Sequence, residues 1–135
     1  MHIEPEHPTA QGPAEWFTGD VYVDPIATRK PDPSRMVVSR VRFTPGARTA
    51  WHSHVLGQTL HITAGTALVG TRDGGVIRAT PGQTVYTAPG EEHWHGATPT
   101  GFMEHLAMLE DGDDPATTTN WLEHLSDTDY ERAAS

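Results

Sequence analysis

Between residues 20 and 110, apolar and polar positions alternate over short stretches, and no segment there sustains a 3.6-residue period. The pattern predicts strands over Asp20–Asp24, Met36–Phe43, Thr49–His54, Gln58–Ala64, Thr66–Thr71, Gly75–Thr80, Thr84–Thr87, His93–Ala97 and Phe102–Glu110. Pro45-Gly46, Asp73-Gly74-Gly75, Pro81-Gly82 and Pro89-Gly90 lie between them and carry turn chemistry. Short strands so punctuated predict an all-β sandwich or barrel. Alternation also gives facing: Arg40 and Arg42 belong to solvent, so Ser39, Val41 and Phe43 turn inward. Over Phe102–Glu110, Glu104 marks one face and places Met103, His105, Ala107 and Leu109 on the other. Leu106 and Met108 share the Glu104 face, which suggests that both faces of this strand are partly covered.

The ends read differently. Residues 1–12 are polar and Pro-rich and are expected to form a disordered tail, leaving 13–135 as a single domain. Arg29–Ser34 reads as a loop, and DGDDPATTTN as a polar linker into Trp121–Tyr130. There Trp121, Leu122 and Leu125 give one apolar stripe, and Ser126 with Asp129 can cap a short C-terminal helical tail packed outside the barrel.

Composition then removes whole classes of chemistry. The 135 residues contain no cysteine, so disulfides, thiolate metal sites and cysteine nucleophiles are excluded. Eighteen acidic against nine basic residues give a charge of −9, the wrong balance for tracking phosphates, so no nucleic-acid partner is expected. No apolar run is long enough to span a membrane and the N-terminus lacks a signal pattern; no membrane partner and a cytoplasmic location are expected.

The nine histidines are the unusual feature. His52 and His54 stand two apart on a predicted strand and leave from one face; Gln58 follows a Val-Leu-Gly turn and can return beside them. Two imidazoles with an oxygen donor make a credible half-site for a metal. His95 and His105 fall on inward faces as well, and an imidazole held near a cation favours its neutral, proton-accepting form. His61 reads as outward-facing, and His2, His7 and His124 receive no role. Trp51 and Trp94 each adjoin one of these inward histidines in sequence and so point away from that face. Ser39, Val41, Phe43, Met103 and Leu109 are expected to wall a small, mostly apolar pocket.

A glycine lies six residues before His52 and another, Gly65, seven after Gln58. This spacing resembles the first cupin motif, with Gln58 at the usual glutamate position. From Gly82, GQTVYTAPGEEH resembles the second motif, with Gly90 and His93 at the family's offsets; Ala88 departs from the usual proline and Ala97 from the terminal asparagine. The resemblance implies a jelly-roll (double-stranded β-helix) cupin barrel holding one divalent metal on His52, His54, Gln58 and His93. Three imidazoles and an amide oxygen suit Mn(II), Fe(II), Co(II), Ni(II) or Zn(II), and positions left open in an octahedral shell favour Mn(II) or Fe(II). Glutamine leaves the ion its full double charge, where glutamate would cancel one unit, and so strengthens it as a Lewis acid.

Across nearly the whole chain, from Gly12-Pro13-Ala14-Glu15-Trp16-Phe17 through Trp51-His52, Leu56-Gly57-Gln58, His93-Trp94-His95-Gly96 and His105-Leu106-Ala107 to the Trp121 tail, the sequence is similar to bacterial manganese-dependent cupin hydroxynitrile lyases. That similarity implies Mn(II), catalytic histidines at His95 and His105, a small-molecule cyanohydrin substrate, and assembly as a homodimer or homotetramer. Other enzymes on the same site, a dioxygenase, decarboxylase or isomerase acting on a small oxygenated substrate, are the alternative, with a non-enzymatic ligand-binding cupin as a third.

Overall fold

Alternating β-branched and polar residues pair into two facing sheets in a computed structural model describing residues 1–135. The strands are β1 (Ala10–Gln11), β2 (Phe17–Thr18), β3 (Val21–Ala27), β4 (Met36–Phe43), β5 (Arg48–Thr49), β6 (His52–His54), β7 (Gln58–Ala64), β8 (Ala67–Thr71), β9 (Val76–Ala79), β10 (Thr84–Thr87), β11 (His93–Ala97), β12 (Met103–Glu110) and β13 (Thr119–Trp121). One sheet runs β1-β3-β4-β12-β7-β10. In the other, β8 lies between β9 and β11; β5 and β6 pair with β11, β2 pairs with β5, and β13 with β6. All these pairings are antiparallel. A single helix, α1 (Asp127–Ala134), closes the chain, so the all-β expectation with a short helical tail holds. No helix is long and apolar enough to cross a membrane.

Period-two alternation places the core. In β4 the buried Val41 and Phe43 alternate with exposed Arg40 and Arg42. With Val21, Leu60, Ile62, Val69, Val85 and Met103 they fill the space between the sheets. Each large side chain there contributes about 1.5–3 kcal/mol by leaving water. A second cluster, Trp51, Leu68, Trp94, Leu125 and Tyr130, lies under α1 on the opposite side of the second sheet, which is where Trp51 and Trp94 were expected to point. Ser126 accepts a hydrogen bond from the Asp129 amide at the helix start, as its spacing predicted. The Tyr130 hydroxyl donates to the Ala97 carbonyl at 2.7 Å, and the Arg48 guanidinium lies 4.4 Å over the Tyr130 ring.

Several expectations give way to tertiary pairing. The strand predicted over Thr49–His54 breaks into β5 and β6, because the Ala50 amide donates to the Trp16 carbonyl and the Trp51 amide to the Glu123 carbonyl. Residues 1–12 do not all lie outside the fold: Ala10 and Gln11 pair with Val23 and Tyr22, an edge addition that their polar sequence does not announce. The polar linker ends in a strand, since Thr119, Asn120 and Trp121 pair with His54, Ser53 and His52. Trp121 therefore belongs to β13, and the helix begins only at Asp127.

The turn between His54 and Gln58 rests on Gly57, whose φ is +80° and whose added Cβ would sit 2.7 Å from the Thr87 carbonyl oxygen. Both the left-handed backbone and the close approach exclude a side chain. Gly57→Ala is expected to cost about 1–3 kcal/mol of stability, read as a lower midpoint in urea unfolding.

Candidate metal centre

The antiparallel register of β6 against β11 sets His52 directly opposite His93. Two-residue periodicity then brings His54 and His95 to the same inner face. The Gly57 turn returns the chain so that Gln58 opens β7, while His105 arrives from β12 in the opposite sheet. The rings gather closely: centroids are 4.3 Å apart for His52 and His93, 5.0 Å for His52 and His54, 5.4 Å for His54 and His93, and 4.8 Å for His95 and His105. All five histidines and Gln58 are buried.

The hydrogen bonds of the ring nitrogens set what the cluster offers. His52 Nδ1–H donates to the Ala50 carbonyl and His93 Nδ1–H to the Glu91 carbonyl, each at 2.9 Å. His54 Nδ1 lies 3.0 Å from Thr119 Oγ1. A neutral imidazole protonated on Nδ1 carries its lone pair on Nε2, and that lone pair is the metal-binding form. His54 Nε2, His93 Nε2 and Gln58 Oε1 are buried without a hydrogen-bond partner in the protein, as are His95 Nε2 and His105 Nδ1. Each such atom costs about 1–3 kcal/mol in desolvation, so several in one place call for a common cause. A cation satisfies acceptors of this kind together, and the donor set fits one.

Three buried histidines, His52, His93 and His95, have ligand atoms all within 4.8 Å of one another and could hold a metal ion. This tightest group contains His95, whereas the expected set contained His54 and Gln58. His95 differs in its own bonding: its Nδ1 lies 3.0 Å from His105 Nε2, so its partner is another imidazole and not an oxygen. Sequence alternation anticipated that both rings face the interior; their direct contact was not foreseen.

A cavity of about 330 Å³ opens beside His52, His54, Gln58 and His95. Of the expected wall, Ser39, Val41 and Leu109 line it. Phe43 and Met103 do not. Phe43 sits behind the histidine pair, its ring 5.3 Å from His105 and 5.9 Å from His95, and Met103 lies in the core between the sheets. Trp16, Phe17, Thr119 and Trp121 line the cavity without having been anticipated as wall residues. Trp16 and Trp121 stack at 5.0 Å with planes 3° apart, and Trp121 lies 4.6 Å from His52. No local pattern announces them, because β2 and β13 exist only through pairing with β5 and β6. A larger surface cleft of about 680 Å³ shares Gln58 and Leu109 with this cavity but contains none of the histidines.

Burial sets the protonation of the cluster. Desolvation holds His52 and His95 well below the ordinary histidine value, with neighbouring imidazoles adding to the effect. Desolvation brings His105 down to about 4, and desolvation with the adjacent His93 brings His54 to about 4 as well. All four are neutral at neutral pH, the form that can ligate a metal or accept a proton.

The Cupin domain family matches residues 39–107. The chain is 48% identical to the (R)-mandelonitrile lyase of Granulicella tundricola over 124 residues, 92% of each chain. It is similar in structure to a cupin-like protein from Thermotoga maritima, with a TM-score of 0.86 and 29% identity, covering all of this chain and 98% of that one. A cupin-2 domain protein from Rhodospirillum rubrum is alike in fold, with a TM-score of 0.70 at 13% identity over 98% and 84% of the two chains.

Depressed histidines tie stability to pH. A group neutral in the fold and protonated when unfolded takes up its proton on unfolding, so stability is whole above the unfolded value of 6.5 and declines as pH falls toward 4. For one group such as His105 the loss between pH 7 and pH 5 is about 2 kcal/mol. Metal-free protein is expected to show a falling urea midpoint over this range, with a shallower fall in His105→Gln.

Proposed function

The chain belongs to the cupin family, and on that premise we propose that it is a metal-dependent carbon–carbon lyase cleaving and forming aromatic cyanohydrins. The observation that carries this reading is the group of unpartnered acceptors, His54 Nε2, His93 Nε2 and Gln58 Oε1, beside a neutral His95 that lines an apolar cavity and is backed by His105. The 48% identity to a protein named for cleaving mandelonitrile supports the choice of reaction.

His52, His54, Gln58 and His93 would hold the ion, with Mn(II) preferred and Fe(II), Co(II), Ni(II) and Zn(II) compatible with the same donors. Oxygen anchors on the Nδ1 atoms of all three histidines favour this set over one including His95. When bound, such an ion supplies a Lewis acid that makes a cyanohydrin hydroxyl more acidic.

The remaining work falls to the chain. Val41, Ala107 and Leu109 offer apolar contact to an aryl ring and keep bulk water from the reacting carbon. His95 Nε2 accepts the hydroxyl proton while its Nδ1–H donates to His105 Nε2, which spreads the new positive charge over two rings. The bond between the carbinol carbon and the nitrile carbon breaks, its electron pair leaves on cyanide, and the aldehyde remains. His95 returns the proton to cyanide, so atoms and charge balance. Run backwards, the same residues add hydrogen cyanide to an aldehyde.

The test joins metal analysis to a mandelonitrile assay followed by benzaldehyde absorbance. Chelator-treated protein is expected to lose cleavage and regain it with Mn(II). His95→Ala is expected to retain metal while kcat falls by about 10²–10⁴-fold, the usual contribution of a positioned base. Absence of cleavage above background in Mn(II)-loaded protein overturns the lyase reading, and oxygen uptake by Fe(II)-loaded protein would replace it with a dioxygenase.

A further inference from the structure

Two of the three histidines with oxygen-anchored Nδ1 atoms are held by main chain, His52 by the Ala50 carbonyl and His93 by the Glu91 carbonyl. A carbonyl only accepts, so it fixes the proton on Nδ1 and commits Nε2 as a lone pair. His54 is held differently. Its partner is the side-chain hydroxyl of Thr119, which makes no other hydrogen bond and can either accept from Nδ1–H or turn and donate to a bare Nδ1.

Thr119 stands on β13, opposite His54 in the register with β6; two residues on, Trp121 stands opposite His52 and lies 4.6 Å from its ring. Thr119 and Trp121 thus reach the His-Ser-His face from one short strand, and both line the cavity. That strand lies beyond the residues 39–107 matched by the family.

We propose that β13 is a positioning strand for the metal site, and that the Thr119 hydroxyl is the positioning group that decides which nitrogen His54 offers to the ion. The inference rests on the proposed ligand role of His54. While the hydroxyl accepts from Nδ1–H, Nε2 is free to ligate; while it donates, Nε2 carries the proton and His54 drops out of the donor set. His52 and His93 are permanent donors, and His54 is the adjustable one.

The test measures Mn(II) affinity by titration of the chelator-stripped full chain and reads the metal-free unfolding midpoint in parallel. His54→Ala, Thr119→Val and Thr119→Ser are compared with the unaltered protein. Thr119→Val is expected to weaken Mn(II) binding by about 10–100-fold, the usual cost of removing a ligand's hydrogen-bond partner, and Thr119→Ser to restore it. Imidazole nitrogen chemical shifts in Thr119→Val are expected to show that His54 no longer holds its proton predominantly on Nδ1. Unaltered affinity in Thr119→Val alongside lost affinity in His54→Ala overturns the Thr119 proposal alone. Unaltered affinity in His54→Ala overturns the ligand role of His54 and the proposal with it. Equal loss in the Ser and Val variants assigns the effect to packing and likewise overturns the proposal.

Discussion

The cross-strand pairing of His52 with His93 is the constraint on which the rest of this molecule depends. One register step would send every side chain of β6 or β11 to the opposite face. The same step would move Trp51 and Trp94 out of the cluster beneath α1 and into the space between the sheets. Site and scaffold are therefore specified by one alternation: imidazoles on one face of these strands, indoles on the other. Gly70 belongs to the same arrangement, since a Cβ there would sit 2.2 Å from the Trp94 indole nitrogen.

Burying a polar cluster of this size opposes folding. The cost is carried by two apolar clusters, one between the sheets and one under the helix, which pin the strands on either side of the histidines. A cation bound at the unpartnered acceptors would return part of that cost and so stabilise the fold. The anchors on the Nδ1 atoms matter for the same reason: an imidazole free to rotate would pay side-chain entropy on each binding event.

Desolvation keeps His95 and His105 neutral, and their 3.0 Å contact makes them a pair able to share one proton's charge. A largely apolar cavity opens beside His95. The net charge of −9 bears on solubility and is independent of the buried histidine cluster.

Local pattern was enough to determine the strand-rich class, the inward facing of Val41 and Phe43 in β4, the outward turn of Trp51 and Trp94, and the shared face of His52 with His54 and of His93 with His95. These follow from a side-chain period of two, a property of a strand taken alone. Resemblance to cupin motifs added the expected metal set. Only the tertiary structure decided the break at Ala50–Trp51, the use of Ala10–Gln11 and Thr119–Trp121 as strands, and the withdrawal of Phe43 and Met103 from the cavity wall. The Trp16–Trp121 stack and the grip of Thr119 on His54 were decided there too. Each joins residues far apart in the chain, and short polar segments acquire strand structure only when a partner edge satisfies their amides and carbonyls.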